Sequence, residues 1–175
     1  MAYHVGFLIP DRILITYMTG TMTLDSFREI SQKVFAAMDD ANSTMIHAVT
    51  VIEPDTEYPK NLQDIIGVLK ETRGGAAHPK TSWVMTVTSS AIQRFVASLS
   101  TQLFVGRVRY GSAPTMLEAL EYLQSRDQSL AEFDMVKIAA EFPQWITQGG
   151  KPTPAAQSEA AAQPLPQDPP ADEIG

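Results

Sequence analysis

Hydroxyl and carboxylate side chains follow three of the strands that this sequence predicts, and they are the first places to look for chemistry. Carboxyl ends of neighbouring parallel strands meet at one edge of a sheet, where α/β proteins usually bind their ligands. We therefore expect these side chains to form one binding surface, which we call the candidate rim. Its members are Glu53, Asp55, Thr88, Ser89, Ser90 and Ser112.

A nucleophilic serine is one function to weigh for this rim. Hydrolase serines of the α/β type lie in a Gly-x-Ser-x-Gly turn, and Ser89-Ser90 lacks both flanking glycines. A triad would have to group one of these serines with His47 and Asp55 at converging strand ends. Capping of the helix that follows is a simpler role for the serines. A serine hydrolase is therefore the last-ranked hypothesis.

Histidine and glycine spacing gives no sign of a metal or cofactor. His4, His47 and His78 share no ligand spacing, and the chain has no cysteine to complete a zinc site. His47 falls within a predicted strand and is expected to be a hydrogen-bonded structural residue. The glycine pairs and turns match neither a dinucleotide fingerprint nor a phosphate-binding loop. We expect no cofactor and no metal.

Composition narrows the class of protein. The chain has 175 residues, 44% of them hydrophobic, and a net charge of −7, which suits one globular domain with appendages. Arg107 and Arg109 form the closest approach to a basic patch, and an acidic chain with so few clustered cations is not expected to bind nucleic acid. No signal peptide or membrane-length apolar run is seen. The expected location is the cytoplasm.

Hydrophobic periodicity predicts an α/β fold. Alternating or continuous apolar runs predict five strands, near residues 3–9, 13–18, 45–52, 81–88 and 106–110. Helical spacing begins at Leu24, with Thr23 as its expected N-cap, and further helical stretches separate the later strands. The predicted fold is a mixed five-stranded sheet, an N-terminal antiparallel hairpin followed by βα repeats, with helices mainly on one face.

The predicted domain organisation has three parts. Residues 1–128 form the α/β domain and residues 129–148 a C-terminal helical extension. Residues 149–175 are rich in proline and alanine and are net acidic, so they are expected to form a disordered tail.

A one-sided sheet would leave its other face in need of cover. Val84 and Thr86 alternate with the apolar side of their strand, and Thr16 and Thr50 extend the same mixed apolar and hydroxyl surface if the strands align. Such a face suits a subunit contact or the docking of residues 130–146. Both alternatives stay open at this point.

Several segments resemble the STAS-like superfamily, also called SpoIIAA-like or anti-sigma factor antagonist-like. Tyr17–Phe27 is similar to that family's passage from strand through glycine, threonine and an acidic residue into a helix. Trp83–Thr88 resembles an inner strand, and Arg107–Tyr110 with Met116–Leu123 resembles the last strand and helix. The resemblance spans residues 3–126. It implies helices mainly on one side of the sheet and a role in binding or regulation.

The chain departs from the anti-sigma factor antagonists where those proteins are phosphorylated. They carry an Asp-Ser-Ser-Gly stretch at the end of the third strand, whereas residues 52–58 read Ile-Glu-Pro-Asp-Thr-Glu-Tyr. Thr56 is the hydroxyl at this place, and a phosphate on it would be repelled by the three neighbouring carboxylates. A kinase-controlled sigma regulator is therefore not expected.

Three functions follow from these observations. The first is a non-enzymatic regulatory or protein-interaction domain that self-associates as a homodimer and binds partners through the candidate rim. The second is a carrier or sensor of a small apolar ligand or lipid, which the resemblance also allows. The third is the serine hydrolase.

Overall fold

A mixed five-stranded sheet forms the centre of the protein. We analysed a computed structural model that describes residues 2–73, 78–91, 93–94, 108–153 and 157. The strands lie side by side in chain order; the first pair is antiparallel and the others are parallel. The predicted α/β class, with a hairpin followed by parallel strands, is confirmed. The strands are β1 (Ala2–Ile9), β2 (Ile13–Thr19), β3 (Ile46–Ile52), β4 (Thr81–Val87) and β5 (Arg109–Ala113).

Four helices of the described chain connect or follow these strands. Thr23 caps the first of them as predicted, because its hydroxyl oxygen accepts a hydrogen bond from the amide of Ser26 at 3.2 Å. Thr115 and Asp134 cap the last two helices in the same way. The helices are α1 (Leu24–Asp40), α2 (Leu62–Arg73), α3 (Met116–Arg126) and α4 (Met135–Thr147).

The fifth strand lies three residues later than the sequence predicted. Gly111 and Ser112, predicted to form a turn, belong to β5. A Cβ atom at Gly111 would lie 2.6 Å from the sulfur of Met85. The side chain of Met85 occupies the space that a larger residue would need here, beside Tyr122 of α3.

Helices cover both faces of the sheet, so the prediction that they lie mainly on one face is wrong. Both α1 and α2 connect parallel strands that are neighbours in order, and right-handed crossovers place such helices on the same face. That face, the α1–α2 face, includes Leu14, Ile46 and Ile52. The opposite face packs against α3 and α4; we call it the α3–α4 face.

The C-terminal helical extension docks on the sheet of its own chain. Phe133, Ile138 and Trp145 are buried in one cluster with Trp83 and Met85 of β4. The docking alternative is thus the one observed, but on the face opposite to the mixed apolar and hydroxyl surface. Residues 129–148 therefore share the core of the α/β domain.

The chain continues along the domain beyond α4. Gly149 and Gly150 both have positive φ angles, which glycine adopts without strain, and they turn the chain back toward β1. Gly150 and Thr153 are buried, so the described chain packs against the domain for five residues beyond residue 148. Residues 154–156 and 158–175 lie outside the described residues, where the disordered tail stays a prediction.

Candidate functional site

The hydroxyl groups at the end of β4 serve as caps and turn bonds. Thr88 is buried; its hydroxyl accepts from the amide of Ser90 at 3.2 Å and donates to the side chain of Gln93 at 2.6 Å. Ser90 in turn accepts from the amide of Gln93 at 3.3 Å. The predicted capping role is confirmed. Gln93 also donates to the carbonyl of Glu53 at 3.5 Å, which brings the ends of β3 and β4 together.

The segment after β3, residues 53–57, is fastened to the loop after β2. We call it the rim loop. Glu53 donates its amide to the carbonyl of Met18 at 3.1 Å, and Glu57 donates to Gly20 at 3.1 Å. Met22 returns a bond to the carbonyl of Glu57 at 2.8 Å. Backbone bonds at both ends give the rim loop a defined conformation.

Two carboxylates of the rim loop are exposed and held by threonines. Thr19 donates its hydroxyl to Asp55 at 3.1 Å, and Thr21 donates to Glu57 at 2.9 Å. We call Asp55 and Glu57 the carboxylate pair. Because each carboxylate keeps further lone pairs free, the pair can accept hydrogen bonds from a cationic ligand.

Thr56 lies between these carboxylates and points inward. It is 6% exposed, and its hydroxyl donates to the carbonyl of Met18 at 3.1 Å. The hydroxyl therefore belongs to the bonds that hold the rim loop.

A phenol that sequence reasoning missed lies beside the rim loop. Burial, with the nearby carboxylates of Glu53 and Asp55, raises the pKa of Tyr17 above its ordinary value. Its ring meets Phe142 of α4 edge-on and stacks on His4 of β1. Tyr17 is therefore a neutral hydrogen-bond donor at the carboxyl end of β2.

Ser112 is not part of this rim. It lies within β5 opposite Thr86, which in turn lies opposite Thr50 and then Thr16. The four hydroxyl residues form one row across the sheet on the α1–α2 face, in the alignment that the sequence left undecided. Ser112 and Ser89 are both exposed, and Ser89 lies just after β4. The rim beyond the ends of β2, β3 and β4 consists of Glu53, Asp55, Glu57, Thr88, Ser89 and Ser90, with Tyr17, Thr19, Thr21 and Gln93 beside them.

The triad considered from the sequence is not assembled. His47 lies near the amino end of β3, whereas Ser89, Ser90 and Asp55 follow the carboxyl ends of β4 and β3. A strand rises about 3.3 Å per residue, so roughly 20 Å separate His47 from the serines. His47 instead bonds to Asp127, with Nε2 and Oδ2 2.8 Å apart and both side chains buried. The expected structural role of His47 is confirmed.

The buried contact with His47 changes the pKa of the Asp127 carboxyl. Burial alone would raise the pKa of this carboxyl, but hydrogen bonds from His47 and Ser129 outweigh it and lower the pKa from 3.8 to about 2. Asp127 joins α3 to the turn that precedes α4, so the pair fastens this connection to the start of β3.

Replacing Asp127 with asparagine is expected to reduce the acid sensitivity of the fold. The folded-state pKa lies below the unfolded one, so ionised Asp127 stabilises the protein above pH 5 and loses this effect as the pH falls through 4 toward 2. The difference amounts to about 1 kcal/mol between pH 5.5 and pH 3. Urea unfolding at both pH values measures it: the wild type should lose that much more stability than Asp127→Asn. Equal losses of stability in the wild type and the variant would show that the contact with His47 does not favour the ionised form of Asp127.

The described part of the chain holds no group of three histidine, aspartate or glutamate side chains placed to bind a metal ion. Of the helices described, none has the length and apolar character needed to cross a bilayer. No family model, curated protein or solved structure matches this chain. The resemblance to the STAS-like superfamily therefore stays an expectation, and the functional reading depends on the geometry.

Proposed function

We propose that this protein is a non-enzymatic, cytoplasmic interaction domain of STAS-like type, whose rim loop binds a basic segment of a partner protein. The observation that supports the proposal is the carboxylate pair, two exposed anionic groups that threonine hydroxyls hold on a hydrogen-bonded loop. Groups that are already fixed lose little conformational entropy on binding. Lysine and arginine side chains are the natural ligands for such a pair.

The bonding of the hydroxyl groups supports binding over catalysis. The hydroxyls of Thr88 and Ser90 accept hydrogen bonds from backbone amides after β4, and the hydroxyl of Thr56 holds the rim loop. His47 lies at the other end of the sheet. Apolar side chains of the helices pack against both faces of the sheet. The apolar-ligand carrier and the hydrolase therefore remain the weaker alternatives.

Neutralising the carboxylate pair is expected to weaken binding of a basic peptide. The probe is a fluorescein-labelled peptide of alternating arginine and glycine, followed by fluorescence anisotropy at low ionic strength. The double variant Asp55→Asn with Glu57→Gln keeps the shape of both side chains and their bonds to threonine. We expect its affinity for the peptide to fall about tenfold, because two exposed ion pairs of about 0.7 kcal/mol each are lost.

A matched control removes two charges elsewhere. Glu121 and Glu132 are exposed and lie outside the rim, so Glu121→Gln with Glu132→Gln changes the net charge equally. If the peptide is attracted only by the overall charge of −7, both double variants should lose affinity to the same degree. That result, or no binding by the wild type, would contradict the proposed function.

A further inference from the structure

Two arginines at the amino end of the sheet lie over aromatic rings. The guanidinium carbon of Arg109 lies 5.6 Å from the ring centroid of Trp83, and that of Arg126 lies 5.2 Å from Tyr122. The two rings meet edge-on with centroids 5.2 Å apart. The four side chains form a continuous row, which we call the arginine–aromatic ladder. Each ring face restricts the position of its guanidinium.

Both guanidinium groups of the ladder are available to an anionic ligand. Arg109 and Arg126 are exposed, and among the described residues neither has a carboxylate oxygen within 4.0 Å. Arg28 differs, since it contacts both Asp25 and Glu71. A guanidinium stacked on a ring keeps its N–H groups free for a carboxylate.

The ladder and the rim loop lie at opposite ends of the sheet. Arg109 begins β5, and Arg126 ends α3, which runs back from the carboxyl end of that strand. The rim loop follows the carboxyl end of β3, which is parallel to β4 and β5. One copy therefore cannot bring its own carboxylate pair to its own ladder.

We propose that the ladder binds the carboxylate pair of a second copy of this chain, so that copies associate head to tail. This rests on the proposed function of the rim loop and names its basic partner. The ladder presents two cations and the rim loop presents two anions, so the two surfaces are complementary in charge. Contacts between two different surfaces build an open chain of copies unless the rotation between copies closes a ring. We expect an open chain, in which the ladder is free at one end and the carboxylate pair is free at the other.

The contact between copies is expected to be weak, and to form only where the ladder of one copy meets the carboxylate pair of another. Copies that each carry a charge of −7 repel one another, so random encounters do not lead to association. Exposed arginine–carboxylate pairs are weak, even when they are bidentate, and salt screens them. The assembly should therefore grow with protein concentration and disappear at high salt.

Mixing two variants tests the contact directly. Asp55→Asn with Glu57→Gln removes the carboxylate pair, and Arg109→Gln with Arg126→Gln removes the ladder charges. In sedimentation velocity at low ionic strength, the wild type should form species larger than a dimer as its concentration rises. Each variant alone should stay at the 19.2 kDa monomer mass. A mixture of the two retains one intact contact, and should give a heterodimer of twice that mass and nothing larger.

Several results would overturn the inference. A wild type that stays monomeric, variants that associate as the wild type does, or a mixture that stays monomeric would each do so. Circular dichroism of both variants checks that they are folded. Lys33→Gln with Lys70→Gln serves as a control, because it removes two exposed cations from α1 and α2, on the opposite face of the sheet. The peptide measurement separates the two ideas. If the rim loop binds the arginine peptide while the mixture stays monomeric, only the head-to-tail contact fails.

Discussion

Replacing Trp145 with alanine is expected to lower the free energy of unfolding by about 3–5 kcal/mol, the range for removing a large aromatic side chain from a packed core. Trp145 is fully buried, and its indole N–H donates to the carbonyl of Phe7 at 3.0 Å. Its ring also stacks on Phe142. The substitution leaves a cavity between α4 and the sheet and an unpaired carbonyl on β1. Urea or thermal unfolding followed by circular dichroism measures the loss.

Val136 supplies the control for this substitution. It lies on the same helix and is 61% exposed, so Val136→Ala should change stability by no more than about 0.5 kcal/mol. A second variant, Trp145→Phe, keeps most of the ring and removes the hydrogen bond, and should fall between the two. If Trp145→Ala costs no more than Val136→Ala, then α4 does not contribute to the core of the domain.

Replacing Gly6 with alanine is expected to destabilise the protein by about 1–3 kcal/mol, as overpacking does. A Cβ atom at this position would lie 2.0 Å from the carbonyl oxygen of Gly150, which is backbone and cannot rotate away. The segment after α4 would have to move off β1, with loss of the packing around Trp145. Chemical unfolding should show a lower midpoint for this variant.

The matched glycine substitution has the opposite sign. Gly67 lies on the exposed side of α2 with nothing within 4 Å of an added Cβ, so Gly67→Ala should stabilise the protein by about 0.5–1 kcal/mol. Equal and small effects at both glycines would mean that residues 148–153 do not press against β1 in solution.

Local signals in the sequence predicted most of the sheet and its connections. Alternation and β-branched residues locate β1 to β4, because a strand buried on both sides leaves few positions for polar residues. Thr23 caps α1 as its position before a helical apolar pattern indicated. Each of these features depends on neighbours within a few residues, which is the range that sequence patterns describe.

The placement of the last two helices could not be predicted in this way. Handedness fixes the face only for helices that connect parallel strands, and α3 and α4 follow the final strand. Their face is decided by contacts between distant residues, such as the bond between His47 and Asp127, which are 80 positions apart. The resemblance to the STAS-like superfamily implied helices mainly on one side of the sheet, so it did not predict the position of α3 and α4.

The rim was predicted in part. Glu53, Asp55 and the residues after β4 were found because they follow strands directly. Thr19 and Thr21 were missed because their role depends on strand register: Met18 lies opposite Ile52, which places the residues after β2 beside the rim loop. The expected parallel pairing of β2 with β3 was the signal that could have shown this.

The contact between Phe7 and Trp145 joins residues 138 positions apart. During synthesis, β1 leaves the ribosome well before the helix that covers its outer edge. Until residues 145–150 are made, an exposed strand edge and one apolar face of the sheet are open to neighbouring nascent chains. The domain therefore closes only after residues 145–150 have been translated, and recombinant fragments that stop before Gly150 should be prone to aggregation.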